Sequence, residues 1–291
     1  METTLTFHDG IDLPHFAAFV LLDDPEGTEA LRAYYRSYVE IAREKDVGIV
    51  LDTPTWRANA DWGERLGYDA EALADVNRRA VALLEEVRSD AGDRPPLVIS
   101  GCVGPRGDGY RVDAEMSAEE AERYHRPQVT TFAETSADLV SALTLTYAAE
   151  AIGIARAARS SGIPVVLSFT VERDGRLPSG QELREAIEVV DAETDRAASY
   201  FMINCAHPTH FEHVLDAPGA WVDRIQGLRA NASAKSHAEL DEAEELDAGD
   251  PVDLAARYDA LRPRLPNLNV VGGCCGTDHR HVREICAAFL N

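Results

Sequence analysis

Short apolar runs alternate along this chain with longer segments that carry apolar residues at helical spacing. The short runs are typical of buried strands, and the longer segments are typical of helices that cover a sheet with one apolar face. The predicted strands are residues 4–8, 47–52, 97–101, 139–143, 164–169, 200–205, 224–228 and 269–273. The clearest predicted helices are residues 28–45, 70–89, 117–134, 147–161, 180–192, 251–261 and 278–290.

Eight such alternations predict a (βα)8 TIM barrel, an α/β fold in which right-handed helical connections join parallel strands. A length of 291 residues with 45% hydrophobic content suffices for one barrel, so residues 1–291 are predicted to form a single domain. The first predicted strand is followed by DGIDLP, which is not a glycine-rich phosphate loop. A nucleotide-binding α/β protein is therefore disfavoured.

The charge is strongly acidic, because 28 Lys and Arg residues face 51 Asp and Glu residues, a net charge of −23. Nucleic acid and anionic membranes would be repelled, so neither is an expected partner. The N-terminus has no basic segment followed by a long apolar one, and we expect a cytoplasmic protein. Five cysteines fit a reducing compartment and a metal site better than a disulfide framework.

Two adjacent cysteines, Cys274 and Cys275, follow the last predicted strand in the stretch VVGGCCGTD. Neighbouring side chains of a strand point to opposite faces, so both sulfurs can reach one ligand only where glycines let the backbone leave the strand. Cys205 ends another predicted strand, and parallel strands of a barrel end at the edge where active sites form. Three thiolates there, from Cys205, Cys274 and Cys275, predict a catalytic Zn²⁺ site with an open fourth position.

Other interpretations of these cysteines are a vicinal disulfide between Cys274 and Cys275, or inert buried thiols. Cys286 lies on an apolar helical face and is predicted to belong to the core. Cys102 is interpreted as a small packed residue at a strand end. Three histidines that follow Cys205 at a spacing near three offer an alternative zinc ligand: His207, His210 and His213.

The run GGCCGT, together with Asn204 and Cys205, resembles the homocysteine S-methyltransferase family. That family is similar to betaine-homocysteine methyltransferase and to the homocysteine domain of cobalamin-dependent methionine synthase. The resemblance covers nearly the whole chain, including residues 52–59, 100–105 and 168–170. It implies a zinc-dependent transfer of a methyl group from a sulfonium donor, S-methylmethionine or S-adenosylmethionine, to the zinc-bound thiolate of homocysteine, giving methionine.

The resemblance also implies a substrate site. Asp9 and Gly10 correspond to the family's Asp-Gly-Gly, which contributes to the amino-acid pocket, and Thr55 corresponds to a threonine-bearing turn. Trp56 can pack on a cationic donor through its ring face. Two asparagines complete the predicted site: Asn204, which would orient the cysteine turn, and Asn231, which would orient the substrate or its own loop. A local turn hydrogen bond is the alternative role for both asparagines.

Two positions depart from the family pattern. Ile11 stands at the second glycine of Asp-Gly-Gly, and Leu143 stands where the family has a glutamate that holds the homocysteine ammonium. An apolar side chain cannot supply that charge-assisted hydrogen bond, so a different thiol acceptor is an alternative. A non-catalytic thiol- or metal-binding relative is another, and a zinc hydrolase is disfavoured because barrel hydrolases usually present His and Asp ligands. The expected partners are a small-molecule thiol acceptor and a methyl donor, with a homo-oligomer left open.

Overall fold

Seven parallel strands form one sheet in the computed structural model, which describes residues 1–112, 114–217, 219–243 and 245–290. The strands are β1 (Ile49–Asp52), β2 (Leu97–Val103), β3 (Leu139–Leu145), β4 (Val165–Phe169), β5 (Ala198–Asn204), β6 (Ile225–Ala230) and β7 (Val270–Gly273). They lie side by side in chain order, and every neighbouring pair is parallel. The carboxyl ends of the strands therefore meet at one edge of the sheet.

Helices alternate with these strands. They are α1 (Glu2–Phe7), α2 (Pro25–Lys45), α3 (Ala60–Leu66), α4 (Ala70–Ala91), α5 (Ala118–Ala133), α6 (Ala148–Ser161), α7 (Leu183–Thr194), α8 (Pro208–Phe211), α9 (His237–Asp241), α10 (Pro251–Leu261) and α11 (His279–Phe289). Short 3-10 segments occur at Pro14–Phe16, Ala18–Asp23, Val214–Asp216 and Val222–Arg224. Side chains cap the first turns of several helices, as at Asp24, Ser117 and Asp278. Within the described ranges, no helix combines the length and the apolar character needed to cross a membrane.

The centre of the sheet is buried on both faces, as is usual for parallel strands covered by helices. All five residues of β4 are buried, and Phe169 stacks parallel to Phe201 of β5 with ring centroids 6.2 Å apart. Gly101 of β2 lies against the ring of Phe132 from α5, where a Cβ atom would come within 2.5 Å of the ring. Glycine therefore allows α5 to pack closely on the sheet.

The first predicted strand is not observed in this structure, because residues 2–7 form helix α1 and do not join the sheet. Threonines alternate with apolar residues there, which is a strand pattern. In the helix, however, the backbone N–H and carbonyl groups form hydrogen bonds with partners close in sequence. The Thr4 carbonyl accepts from the N–H groups of His8 at 2.9 Å and Asp9 at 3.2 Å, and the Leu5 side chain is fully buried. The sheet is accordingly a curled, seven-stranded half-barrel in which β1 and β7 are not paired with each other.

A cavity of about 1020 Å³ occupies the inside of this curled sheet. Its lining includes residues of β1 and β7, aromatic residues of α2, and part of the acidic segment that follows α9. An ion pair between Arg229 of β6 and Asp52 at the end of β1 crosses the interior. The cavity also reaches the carboxyl ends of β5 and β7, where the predicted cysteine site lies.

Candidate metal centre

Three cysteine sulfurs converge at the carboxyl edge of the sheet. Cys205 follows the last residue of β5, and Cys274 and Cys275 follow the last residue of β7. The Cys205 Sγ atom lies 2.7 Å from Cys274 Sγ and 3.6 Å from Cys275 Sγ, and all three sulfurs lie within 4.8 Å of one another. The cysteines are free thiols, so the spatial convergence that the sequence predicted is present without a disulfide.

The local backbone explains how strand ends bring their sulfurs to one point. Cys205 has a left-handed φ of 55°, a conformation that is costly for a residue with a side chain and that turns the chain sharply at the end of β5. After β7, Gly273 packs against Thr277, where a Cβ atom would collide with the threonine side chain, and the Thr277 hydroxyl donates to the Cys274 carbonyl at 2.7 Å. Gly276 then adopts a φ of 78°. The glycines thus let both adjacent sulfurs face the cavity.

Asn231 ties the two cysteine turns together. Its Nδ2 group donates to the Cys205 carbonyl at 3.0 Å, and its Oδ1 atom accepts from the Cys275 N–H at 3.1 Å. The side chain is buried and does not line the cavity. Its contacts therefore fix the two cysteine turns relative to each other.

The pKa values of the three thiols shift in different directions. Hydrogen bonds with Cys205 and Cys275 hold the pKa of Cys274 well below that of an ordinary thiol, and the charge of Arg229 acts in the same direction. The hydrogen bond with Cys274 raises the pKa of Cys205. For Cys275, the hydrogen bond with Cys205 lowers the pKa, but Cys274 and burial outweigh it and raise the value to about 12.

This donor set fits Zn²⁺ by the chemistry of its ligands. Thiolates bind zinc at about 2.3 Å in a tetrahedron, so ligand sulfurs lie about 3.8 Å apart. The Cys205–Cys275 separation of 3.6 Å matches that spacing, whereas the Cys205–Cys274 separation of 2.7 Å must increase by about 1 Å. Within the described part of the chain, the cluster comprises these three residues and has no fourth protein ligand.

Tyr110, in the loop between β2 and α5, covers one side of the sulfurs. Its hydroxyl donates to Cys275 Sγ at 3.4 Å and lies 3.8 Å from Cys205 Sγ. Burial raises the pKa of Tyr110, so the hydroxyl keeps its proton at neutral pH. The ring stacks on His237 with centroids 4.2 Å apart, and His237 Nε2 lies 2.7 Å from the Cys205 carbonyl oxygen. The loop after β2 and the start of α9 are thereby joined beside the cysteines.

Of the predicted substrate residues, Trp56 and Asn204 line the cavity together with the cysteines. The Trp56 Nε1–H donates to the Leu143 carbonyl at 3.2 Å. The Asn204 Nδ2 group donates to Thr144 Oγ1 at 2.8 Å and lies 3.9 Å from Cys274 Sγ. These two side chains are therefore within the same site as the sulfurs.

The other predicted substrate residues lie outside the cavity lining. Thr55 is fully buried, and its hydroxyl donates to the Cys102 carbonyl at 2.7 Å. Asp9 and Gly10 are exposed in the turn after α1. Because the first predicted strand is a helix, these two residues do not follow a strand end, and their assignment to the substrate pocket stays a prediction.

The remaining cysteines and the three histidines are not part of the sulfur cluster. Cys102 and Cys286 line other parts of the cavity. The histidines make separate contacts: His207 Nδ1 with Thr209 Oγ1 at 2.8 Å, His210 Nε2 with the Ala234 carbonyl at 3.0 Å, and His213 Nε2 with the Asp174 carbonyl at 3.1 Å. The interpretation of a histidine as an alternative zinc ligand therefore has no support from the geometry.

Several cavity residues were missed by the sequence reasoning because they come from loops or from the barrel interior: Arg57, Asp108, Tyr110 and Arg229. His237, at the start of α9, was also missed and stacks on Tyr110. Arg57 follows Trp56 directly, so its position after a strand end was an available signal. Tyr110 and His237 had no comparable signal. They come together only because the loop after β2 packs against the start of α9.

Comparison with known proteins agrees with this architecture. The sequence profile of the family described as "Homocysteine S-methyltransferase" matches residues 1–289. Methionine synthase of Mycobacterium tuberculosis (strain ATCC 25618 / H37Rv) is 26% identical over 94% of this chain, and betaine–homocysteine S-methyltransferase 1 of Rattus norvegicus is 24% identical over 89%. The chain spans 24% of the first relative's length and 64% of the second's.

A solved structure shares the fold at low sequence identity. The oxidized form of the homocysteine methyltransferase MmuM from Escherichia coli superposes with a TM-score of 0.75 and 21% identity, covering 96% of this chain and 91% of the other. A TIM-barrel-like α/β arrangement is thus supported by the sheet and by the structural likeness. With a profile match over almost its whole length, the chain belongs to the homocysteine S-methyltransferase family.

Proposed function

We propose that this protein transfers a methyl group from a sulfonium donor, S-methylmethionine or S-adenosylmethionine, to the thiolate of homocysteine, giving methionine. The observation that carries this proposal is the convergence of three free thiols within 4.8 Å at the edge of a large cavity. Membership of the homocysteine S-methyltransferase family supports the same reaction. Cys205, Cys274 and Cys275 would hold Zn²⁺, which when bound keeps an incoming thiol deprotonated at neutral pH.

The protein's own residues would supply charge and position. Three thiolates around one divalent ion leave a net charge of about −1, which attracts a cationic donor into the cavity. Trp56 lines the same cavity, and an indole ring attracts a sulfonium cation by about 0.5–2 kcal/mol, although the Arg57 guanidinium already lies 4.3 Å from the centre of this ring. Asn231 and Asn204 would keep the cysteine turns in place during the reaction. The site therefore combines an electron-rich sulfur with attraction for the methyl-bearing cation.

The proposed transfer is a single displacement. The acceptor sulfur donates an electron pair to the methyl carbon, and the bond between that carbon and the donor sulfur breaks with its electron pair staying on the donor. The donor becomes a neutral thioether, the acceptor becomes methionine, and the acceptor's thiol proton has been released to solvent. Alignment of the two sulfurs with the methyl carbon is what the cavity must provide.

A second candidate is the same transfer to a different thiol. Leu143, at the end of β3, lines the cavity next to the Trp56 indole. The family resemblance places a glutamate there, so the usual ammonium contact is missing. This observation favours testing other thiols alongside homocysteine.

A stepwise assay tests both candidates. Purified protein is analysed for zinc and then incubated with homocysteine and each sulfonium donor while methionine is followed by mass spectrometry. Methionine formation supports the proposed reaction. Zinc without methionine from either donor would reject it, and a panel of thiols would then show whether another acceptor is methylated or the protein only binds thiols or metal.

We also propose that residues 1–291 form one domain whose sheet closes as an eight-stranded barrel when residues 4–8 form a strand between β1 and β7. Both flanking strands line the cavity and are not paired with each other. The hydroxyl groups of Thr4 and Thr6 are buried without a hydrogen-bond partner in the described structure, which disfavours the helix. In a closed barrel, Asp9 and Gly10 would follow a strand end and reach the carboxyl edge.

Amide hydrogen exchange tests the closure. Zinc and homocysteine together should slow exchange in residues 4–8, because a strand between two neighbours is better protected than a short helix. The peptide that contains α3 (Ala60–Leu66), another short helix, serves as the control. Equal exchange of residues 4–8 with and without the ligands would reject the closure.

A cytoplasmic location is also part of the proposal. Its support is that all five cysteines are free thiols. A site built from three thiolates needs a compartment in which thiols stay reduced.

A further inference from the structure

Arg57 is held rigidly at the wall of the cavity. Its guanidinium lies 4.3 Å from the centre of the Trp56 ring and 3.9 Å from that of Trp62, so two indoles fix its plane. One terminal nitrogen donates to the Gly107 carbonyl at 3.1 Å. The two indoles, rather than solvent, therefore set the orientation of the planar guanidinium group.

The charge of Arg57 is not neutralised within the protein. Among the residues that the structure describes, no carboxylate forms an ion pair with it, and its Nε atom is buried without an acceptor. Burial lowers the pKa of Arg57 to about 10, with the nearby Asp108 opposing the shift, so the group stays charged at neutral pH. A partly buried cation without a counter-ion is costly, and a ligand anion would remove that cost.

Asp108 supplies the opposite charge close by. Its Oδ1 atom accepts from the N–H groups of Tyr110 at 2.7 Å and Arg111 at 3.2 Å, which fixes the carboxylate in a turn. Asp108 acts on Arg57 through its charge without forming an ion pair. Both side chains line the cavity. A fixed cation and a fixed anion therefore face one space without neutralising each other.

This pair of charges lies close to the cysteine cluster and to Leu143. The ring of Tyr110, two residues after Asp108, carries its hydroxyl to 3.4 Å from Cys275 Sγ. A Cβ atom on Gly109 would lie 3.0 Å from the Trp56 ring and 3.1 Å from Thr144 Cγ2, so the loop packs directly on the end of β3. Asp108 therefore lies beside the end of β3, where the side chain of Leu143 is apolar and carries no charge.

We propose that Arg57 and Asp108 bind the amino-acid end of the acceptor, Arg57 its carboxylate and Asp108 its ammonium group. This inference rests on the proposed function, because it assumes that the ligand's sulfur lies at the cysteine cluster. An α-amino acid carries an ammonium group and a carboxylate group on the same carbon atom. These two opposite charges match a fixed cation and a fixed anion that do not form an ion pair with each other. The amino-acid end of the acceptor would thereby be recognised from the loops after β1 and β2 instead of from the end of β3.

Binding of the product thioether and its analogues tests the pair without a methyl donor. The ligands are methionine, 4-(methylthio)butanoate, which lacks the ammonium, and 3-(methylthio)propylamine, which lacks the carboxylate. Dissociation constants are measured on the zinc-loaded protein by nuclear magnetic resonance titration. Each missing charge should weaken binding by about tenfold or more, the usual effect of losing a charge-assisted hydrogen bond.

Two variants separate the roles. Arg57→Gln should weaken methionine and the butanoate about tenfold but leave the amine unchanged, and Asp108→Asn should weaken methionine and the amine but leave the butanoate unchanged. Asparagine keeps the Oδ1 acceptor of the Asp108 turn, so the loop should hold its shape. If Arg57→Gln does not fold, Arg57→Lys takes its place and should still weaken both carboxylate ligands, because the planar fork is lost.

Matched controls are available for both positions. Arg65 lies 4.5 Å from the Trp62 ring but does not line the cavity, and Asp174 accepts from the Arg176 N–H at 3.0 Å in a similar turn outside the cavity. Arg65→Gln and Asp174→Asn should leave all three constants unchanged.

Two results would overturn the inference: equal binding of the three ligands by the wild-type protein, or a loss in either test variant that does not follow ligand charge. A separate methyl-transfer assay with homocysteine keeps this outcome distinct from the proposed function. Activity without charge-dependent binding rejects only the Arg57–Asp108 assignment. Charge-dependent binding without activity supports the assignment and rejects the transfer reaction.

Discussion

Replacing Asn231 with alanine tests whether one amide holds the two cysteine turns together. The side chain joins the Cys205 carbonyl at 3.0 Å to the Cys275 N–H at 3.1 Å and is only 1% exposed. Alanine would leave both backbone groups buried and unpaired. We expect a loss of folding stability together with a loss of zinc affinity, because the amide fixes the distance between ligands on two strands.

The expected magnitude follows from the two lost hydrogen bonds. A buried polar group left without its partner costs about 1–3 kcal/mol, so the pair costs about 2–6 kcal/mol if no water enters. A water molecule in the vacated space would restore part of this, which gives an expected loss of about 2–4 kcal/mol in the free energy of unfolding. If the zinc-bound state is destabilised by a further half of that amount, about 1–2 kcal/mol more than the metal-free protein, zinc affinity drops about 5- to 30-fold.

Two measurements and one control decide the result. Urea unfolding in the presence of a chelator gives the stability of the metal-free protein, and competition with a chromophoric chelator gives the zinc affinity. Asn77→Ala is the matched control, since Asn77 is also 1% exposed and donates to the Leu73 carbonyl at 2.7 Å and the Ala58 carbonyl at 3.3 Å. The control should lose similar stability and keep its zinc affinity. Equal stability losses with unchanged zinc affinity in both variants would refute the reasoning.

Three further predictions concern other parts of the structure. Cys275→Ser should lose zinc, measured by elemental analysis, together with methyl transfer, whereas Cys286→Ser, outside the sulfur cluster, should keep both; retention of zinc by the first variant would contradict the ligand set. Gly101→Ala should lower the free energy of unfolding by about 1–3 kcal/mol, because its Cβ atom would lie 2.5 Å from the Phe132 ring, and an unchanged melting temperature would count against this packing. Asp278→Asn should destabilise the protein by about 1 kcal/mol at neutral pH. Burial alone would raise the pKa of the Asp278 carboxyl, but hydrogen bonds from α11 outweigh burial and depress the pKa. The carboxylate's contribution to folding stability is therefore present above the unfolded pKa of 3.8 and is lost as pH falls through the folded pKa. The difference between wild type and variant, followed by urea unfolding, should therefore shrink in acid, and a difference that persists there would exclude the carboxylate's charge as its source.

The sheet and the cysteine cluster could be predicted from sequence because both depend on regular patterns. Apolar runs separated by amphipathic helices indicate parallel strands, and parallel strands place their carboxyl ends at one edge. Cys205 and Cys274 follow two such ends, so their proximity needed no knowledge of distant packing. The predicted strand β5 and the observed Ala198–Asn204 differ only at their ends.

The first predicted strand shows what a local pattern leaves undecided. Residues 4–8 alternate as a strand would, yet helix α1 satisfies its backbone through local hydrogen bonds and buries Leu5. A strand at that place would need partners on β1 and β7, which lie far away in the sequence. The alternation of side chains carries no information about whether those partners are available.

The sequence by itself determined the order of the seven strands, the acidic charge, and the two strand ends that carry the cysteine sulfurs, because each depends on composition or on residues close together in the chain. Tertiary structure alone decided that Tyr110 reaches Cys275, that Asn231 joins two turns, and that Arg57 lies between two indoles near Asp108. Those contacts depend on how loops cross the open edge of the sheet. Loop paths depend on the packing of the whole molecule. The local spacing of residues along the chain carries no information about that packing.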